Sequence, residues 1–192
     1  MELVGQQAKL RIMKSDDVEV LYNIVQETLE LWTHMVRRMN NLDDMINLGT
    51  EASEDFEKRS TFPFIVIDEV TNTIVGSTRL YDISSDYGIL ELGSTFYDPT
   101  VQKTRINTEC KYLLLQHAFE KLDMVRVQIK TDIQNIRAQE AIEQLGAAKE
   151  GILCNEIVLH NGRIRDAVVY SFIKEKWPSV KVRLENYLNK QY

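Results

Sequence analysis

Gln102, Lys103, Thr104, Arg105 and Asn107 stand together in the segment Val101 to Cys110, VQKTRINTEC, directly ahead of a run with helical apolar spacing. A helix start offers backbone amides with no intrahelical partner and the positive end of the helix dipole. A donor-rich loop there can hold an anion, above all a phosphate, or it can simply cap the helix. Other chemistry-bearing side chains are sparse. Cys110 and Cys154 match neither a metal spacing nor a disulfide framework, so no metal site is expected. Cys154 as an acyl-carrying nucleophile would need an activating base, and His34, His117 and His160 stand at no diagnostic spacing from it. His117 falls on an apolar helix face, where a core histidine is expected.

The elements that must position this loop can be read from periodicity. Lys9 to Lys14 alternates as a strand, and Ser15 then caps a helix with Val18, Leu21, Tyr22, Val25 and Leu29 on one face. Trp32 to Arg59 reads as irregular helix, interrupted at Asn40, Asn41 and Gly49. Three strands follow, Phe64 to Asp68, Ile74 to Tyr81 and Tyr87 to Tyr97, the last ended by Asp98-Pro99. The helix after the opening loop carries Ile106, Cys110, Leu113, Leu114, His117 and Ala118 inward. Val125 to Thr131 is a further strand. Asn135 caps the next helix and Gly146 stops it. Two strands joined by a two-residue Asn161-Gly162 turn come next, then a helix from Lys176-Trp177-Pro178. A helix between the third meander strand and Val125 to Thr131 permits a parallel crossover, so a mixed α/β sheet is expected.

Composition narrows the function classes. The 192 residues suffice for one domain with a substantial core, and no linker or repeat divides them, so one domain over 1–192 is expected. Apolar content of 44% and charged content of 27% describe a soluble globular chain. No apolar run approaches the roughly 18 residues of a membrane span, and the N-terminus lacks a signal peptide's apolar stretch, which points to a cytoplasmic protein. A net charge of −6 argues against nucleic acid as a partner and suits basic or amine-bearing substrates.

The order of elements, with an anion-type loop after the meander, resembles the GNAT superfamily of acyl-CoA N-acyltransferases over nearly the whole chain. That family's cofactor loop reads Arg/Gln-x-x-Gly-x-Gly/Ala. Here the frame is Gln102 to Asn107, with Arg105 and Asn107 where small residues are usual. Asn135-Ile136-Arg137-Ala138 followed by Ala141 to Ala147 is similar to the family's later motif. Thr104 to Lys111 fits the Thr-x-x-Asn-x-Glu-x-Lys loop of some relatives of the ribosomal-protein-alanine N-acetyltransferase branch. His117 to Glu120, Glu150 to Leu153, Asn161 to Arg163 and Asp166 to Ser171 resemble the same branch.

The resemblance implies an α/β fold with a single mixed, mostly antiparallel sheet flanked by helices. It implies acetyl-CoA as co-substrate and direct acetyl transfer to a primary amine, either a peptide N-terminal α-amine or a small-molecule amine, in a monomer or homodimer. Ser94, Thr95, Phe96 and Tyr97 would line the pantetheine arm, and the amides of Gln102, Lys103, Thr104, Arg105, Ile106, Asn107 and Thr108 would surround the pyrophosphate. Asn135 would face the pantetheine arm as well as capping its helix, and Arg137 lies close enough to help. An arginine at 105 is compatible with phosphate binding if its backbone stays right-handed and its side chain swings out; its guanidinium would then pair with the cofactor's phosphates, the alternative being a plain surface charge with binding weakened or lost.

Transfer needs a neutral amine. With pKa about 8 for an α-amine and about 10.4 for lysine, deprotonation at pH 7 costs about 1.4 against about 4.6 kcal/mol, so an α-amine needs only a modest base. Glu91 matches the carboxylate on the family's central strand and would be that base, directly or through a water. The thiolate's proton donor is a Tyr in the helix after Asn135 in many members, or a Ser at the Ala138 position. Neither is present, so Tyr170 and Ser171 are the substitutes. Leu31-Trp32 and the stretch after it resemble the region that covers the acceptor site in this family, so Trp32 would bind the acceptor, core packing being the alternative. The departures at Arg105 and Ala138 motivate an alternative, a non-catalytic acyl-CoA-binding module.

Overall fold

The computed structural model describes residues 1–26 and 33–190. Strands β1 (Glu2–Val4) and β2 (Ala8–Ile12) lead into helix α1 (Val18–Gln26) and helix α2 (Leu42–Glu57). The meander β3 (Phe62–Asp68), β4 (Thr73–Ser84) and β5 (Ile89–Tyr97) follows. The chain continues through α3 (Ile106–Glu120), β6 (Arg126–Asp132), α4 (Ile136–Leu145), β7 (Ala148–Val158), β8 (Ile164–Ile173) and α5 (Trp177–Leu188).

All eight strands form one open sheet in the order β1-β2-β3-β4-β5-β6-β8-β7. Every neighbouring pair is antiparallel except β5 with β6, which α3 joins as a crossover. Alternation along each strand sends one set of side chains to each face. Leu90 and Leu92 of β5, Val127 and Ile129 of β6, and Val168 and Tyr170 of β8 share a core with Leu114, Leu115 and Phe119 of α3 and Leu184 of α5. On the other face Ile65, Ile67 and Phe96 pack with Leu21 and Val25 of α1 and Met45 and Ala52 of α2. Leu114 is fully buried, and its truncation to alanine would cost about 2–5 kcal/mol.

Several local devices follow the sequence expectations. The Asn135 side chain accepts from the Ala138 amide at 3.0 Å and Gly146 ends α4 with φ 98°, where an L side chain would be strained. Others differ. Between Trp32 and Arg59 the described chain holds one regular helix, α2, started by Asn41, which accepts from the Asp44 amide at 2.9 Å. Gly49 lies inside α2 rather than breaking it, because a β-carbon there would stand 2.9 Å from Val18 Cγ2, so its bareness lets α1 close on α2. β7 ends at Val158 and β8 begins at Ile164, so the Asn161-Gly162 connection is longer than a two-residue turn. Strand β1 was not expected, its three residues being too few to show a period. Leu29, expected on the buried face of α1, lies outside the described residues. Among the described residues no helix is long and apolar enough to cross a membrane.

Candidate active site

The two central strands separate. β5 and β6 pair only at Ile89, Leu90 and Glu91 against Arg126, Val127 and Gln128. Beyond Glu91 neither strand has a ladder partner on the side facing the other. The cause is a bulge: against β4 the register jumps between Ser77–Phe96 and Arg79–Gly93, and Ser94 takes φ 48°. The result is a wedge whose β5 wall, Leu92 to Tyr97, offers main-chain groups instead of a ladder. Within this wall Phe96 is buried under α1 and α2, and the Tyr97 hydroxyl is buried. Thr95 Oγ1 meets Thr78 Oγ1 at 2.8 Å and Lys111 Nζ at 2.7 Å.

The loop from β5 to α3 lies at the end of the wedge. Its left-handed residue is Lys103, φ 63°, whereas Arg105 is right-handed at φ −75°, ψ −12°. The Arg105 guanidinium turns to the end of α5, donating to the Leu188 carbonyl at 2.8 Å and to the Lys190 carbonyl. Thr104 Oγ1 donates to the Val101 carbonyl at 2.6 Å, and Ile106 is buried in the core. Among the described residues, no acceptor takes the amides of Lys103, Asn107 and Thr108. Arg137, in the first turn of α4, donates to Gln102 Oε1 at 2.9 Å, tying the start of α4 to this loop. Unsatisfied amides, the positive end of α3 and an arginine that clears the space fit a diphosphate.

Across the sheet from that core, Glu91 is 4% exposed and accepts three bonds. Tyr81 Oη donates at 2.5 Å to Oε1, and Gln128 Nε2 at 3.1 Å and Lys130 Nζ at 3.2 Å reach Oε2. A carboxylate has about four acceptor sites, so one remains for a water or an amine. Lys130 also meets Glu156 at 3.0 Å, and Glu156 accepts from Arg165 Nε at 3.0 Å. Burial and then the Glu91 charge push the Tyr81 phenol far above its ordinary value. Burial works against the Lys130 ammonium, but Glu156 and Glu91 outweigh it and hold it above lysine's usual value.

A second cluster closes the outer end of β6. Asp132, 1% exposed, accepts from both terminal nitrogens of Arg163, from the Gln134 amide at 2.9 Å, and contacts His34 Nδ1 at 3.1 Å. Burial would raise this carboxyl, yet Arg163, the Gln134 amide and His34 together hold it at about 2.

The remaining expected residues divide. Tyr170 is fully buried on the α3 side, and its hydroxyl, expected to protonate a leaving thiolate, donates instead to Glu143 Oε1 at 2.8 Å. Burial and that carboxylate push the phenol up to about 12. Ser171 donates to Glu150 at 2.6 Å. Cys154 is exposed on β7 and Cys110 is buried. Trp32 lies outside the described residues. Sequence reasoning missed Lys111, whose ammonium is buried and pushed down to about 8 by that burial. It also missed Glu109, which accepts from the amides of Gln6, Gln7 and Ala8 at 2.9, 2.7 and 2.6 Å and so pins the β1–β2 turn. The Thr-x-x-Asn-x-Glu-x-Lys frame contained both, without saying where they point. The alternating polar residues Gln128 and Lys130 in VRVQIKT were the available signal for the Glu91 network.

Residues 8–148 match the model of the acetyltransferase (GNAT) domain family. No curated protein matches the chain significantly. A candidate acetyltransferase of T. thermophilus is 30% identical with a TM-score of 0.86, over 97% of this chain and 96% of that one. A GCN5-related N-acetyltransferase from Brucella melitensis superposes with a TM-score of 0.90 at 22% identity, covering 98% and 85%. Mycobacterium smegmatis RimJ, in complex with CoA-disulfide, does so at 0.85 and 15% identity, covering 96% and 91%.

Proposed function

The chain belongs to the GNAT acetyltransferase family, and we propose that it transfers an acetyl group from acetyl-CoA directly to a primary amine, a peptide N-terminal α-amine or a small-molecule amine. The observation that carries this reading is the wedge between β5 and β6, with unsatisfied loop amides at its end and the Glu91 carboxylate beside its apex. The amides of Lys103, Asn107 and Thr108 would hold the diphosphate, and the β5 wall from Ser94 to Tyr97 would hold the pantetheine arm.

Acetyl-CoA supplies a thioester-activated acetyl group. Glu91 accepts the amine's proton at its remaining acceptor site, through one water where the amine does not reach it, while Tyr81 and Lys130 fix the carboxylate in place. Main-chain donors of the β5 wall stabilise the thioester oxygen. The nitrogen–carbon bond forms, the carbon–sulfur bond breaks, and the departing thiolate takes its proton from solvent. A solvent donor fits the commitment of Tyr170 to Glu143 and the absence of a hydroxyl at Ala138. The exposed Cys154 has no assigned base and takes no part, so intact mass after acetyl-CoA exposure should show no acetylated Cys154.

Thiol release measured over a panel of amines, with CoA binding followed in parallel by calorimetry, tests the reading. Binding without turnover of any amine would favour a second reading, a non-catalytic acyl-CoA-binding module, for which the missing leaving-group donor is the motive.

A further inference from the structure

Among the described residues, Arg79 is the charged side chain near the Glu91 network that the acetyl-transfer reading leaves without work. It sits on β4 directly opposite Gly93 of β5, two residues from Tyr81, which stands opposite Glu91. Strand alternation therefore places Arg79, Tyr81 and Glu91 on one face, the face of α1 and α2. Its neighbour Thr78 points the other way, to Lys111 on α3.

Among the described residues, no hydrogen bond or ion pair reaches the Arg79 guanidinium. The acids near it bond other cations: Glu51 accepts from Arg37 at 2.6 Å, and Asp55 pairs with Lys58 at 3.5 Å. Burial lowers the guanidinium below arginine's usual value, and Arg37 lowers it further, with Glu51, Asp55 and Tyr81 opposing. Holding a cation partly out of water is costly, and among the described residues no carboxylate bonds Arg79 directly, so its donors remain for the anionic group of a ligand. Arg79 is half-buried, not sealed in the core.

Gly93 makes room for the Tyr81 ring. It occupies the position across from Arg79 at the point where β5 leaves β6, and a β-carbon there would stand 3.0 Å from Tyr81 Oη. The Tyr81 ring therefore lies over Gly93 on its way to Glu91, beside Arg79 on the same face. Two strand residues span about 7 Å, a separation that an amine and a carboxylate in one small molecule, or in the first residues of one peptide, can bridge.

We propose that Arg79 binds the acceptor's anionic group: the amine to be acetylated belongs to a molecule that also carries a carboxylate, which pairs with the Arg79 guanidinium while the amine lies towards Glu91. Planar bidentate pairing suits arginine and a carboxylate. The inference rests on the acetyl-transfer reading, and it narrows the acceptor to amines of amino-acid type, whether free or at the start of an acidic peptide.

The test compares acceptors with and without the carboxylate, glycine with glycinamide and the dipeptide Ala-Asp with Ala-Asn, with every rate referred to the concentration of neutral amine, because amidation lowers the amine pKa. The wild type should favour the acid of at least one pair by tenfold or more in kcat/KM, and the pair that responds tells a free amino acid from an acidic peptide. In Arg79→Gln that ratio should fall to near one with CoA affinity unchanged. Equal use of acid and amide by the wild type, or a preference that survives in Arg79→Gln, overturns the proposal. If no amine turns over although CoA binds, acetyl transfer fails by itself, and a melting-temperature rise produced by glycine or Ala-Asp decides the Arg79 site. That rise is expected in the wild type and absent in Arg79→Gln, and its absence from both overturns the site. Without ligand, Arg79→Gln should melt higher than the wild type; a lower melting temperature would make Arg79 a structural residue.

Discussion

The Arg105 guanidinium donates to the Leu188 carbonyl at 2.8 Å, so the side chain that stands where the family loop has a small residue is turned to the end of α5. A cation at the C-terminal end of a helix meets carbonyls that have no intrahelical partner and the negative end of the dipole.

Arg105→Ala should therefore lower stability, by about 1–2 kcal/mol, while changing CoA affinity less than about threefold. Thermal melting and calorimetry on the same samples check this. A tenfold loss of CoA affinity with an unchanged melting temperature would mean that the arginine serves the phosphates after all.

Glu91→Gln keeps the shape of the network and removes the charge that Tyr81 and Lys130 hold. Turnover should fall by about 100-fold or more, the range of a lost general base. CoA affinity should stay within about twofold, because the carboxylate is on β5 and not on the β5–α3 loop proposed to hold the diphosphate. Single-turnover kinetics beside calorimetry separate the two effects, and a variant with full turnover would leave solvent as the base.

Lys111 sets a pH dependence. Its ammonium titrates at about 8 in the fold against about 10.4 in an unfolded chain, so the unfolded state binds more protons between those values. Stability should rise with pH across that window, relieving a penalty of about 3 kcal/mol that is fully present below pH 8. Lys111→Met should remove this rise and be the more stable protein at pH 7. Denaturant titrations of both proteins from about pH 7 to about 10.5 measure it, and parallel curves would contradict the assignment.

Tyr170→Phe deletes a hydroxyl committed to Glu143. The expected cost is about 1 kcal/mol of stability with turnover within about threefold of wild type, since the proposed route protonates the leaving thiolate from solvent. A large fall in turnover, together with loss of the alkaline limb of the pH–rate profile, would restore Tyr170 as the donor.

Much of this was legible from residue order. Period-2 and period-3.6 spacing marked the strands and helices, Asn135 and Gly146 marked the ends of α4, and the donor-rich run Gln102 to Thr108 marked the start of α3. These signals are local, because each depends on side chains within a turn or two of one another, and the family motifs add the order in which they occur. The sequence thus determined the sheet with its crossover helix, the anion-ready helix start and Glu91 as a strand carboxylate.

Direction was not legible. From the sequence Arg105 could pair with a phosphate or be plain surface charge, and only the arrival of α5, from more than eighty positions away, gives it the carbonyl of Leu188. Glu109 and Lys111 look like the polar face of an amphipathic helix, but α3 is covered on several sides, so one carboxylate closes the β1–β2 turn and one ammonium backs Thr95. Arg79 looks like an ordinary strand charge until α2 and the 33–41 segment bring Arg37, Glu51 and Asp55 near it with those acids already paired. Whether a charged group is solvated, paired or held ready for a ligand depends on what the rest of the chain packs against it, and that is set by contacts between residues distant in sequence, which no local pattern encodes.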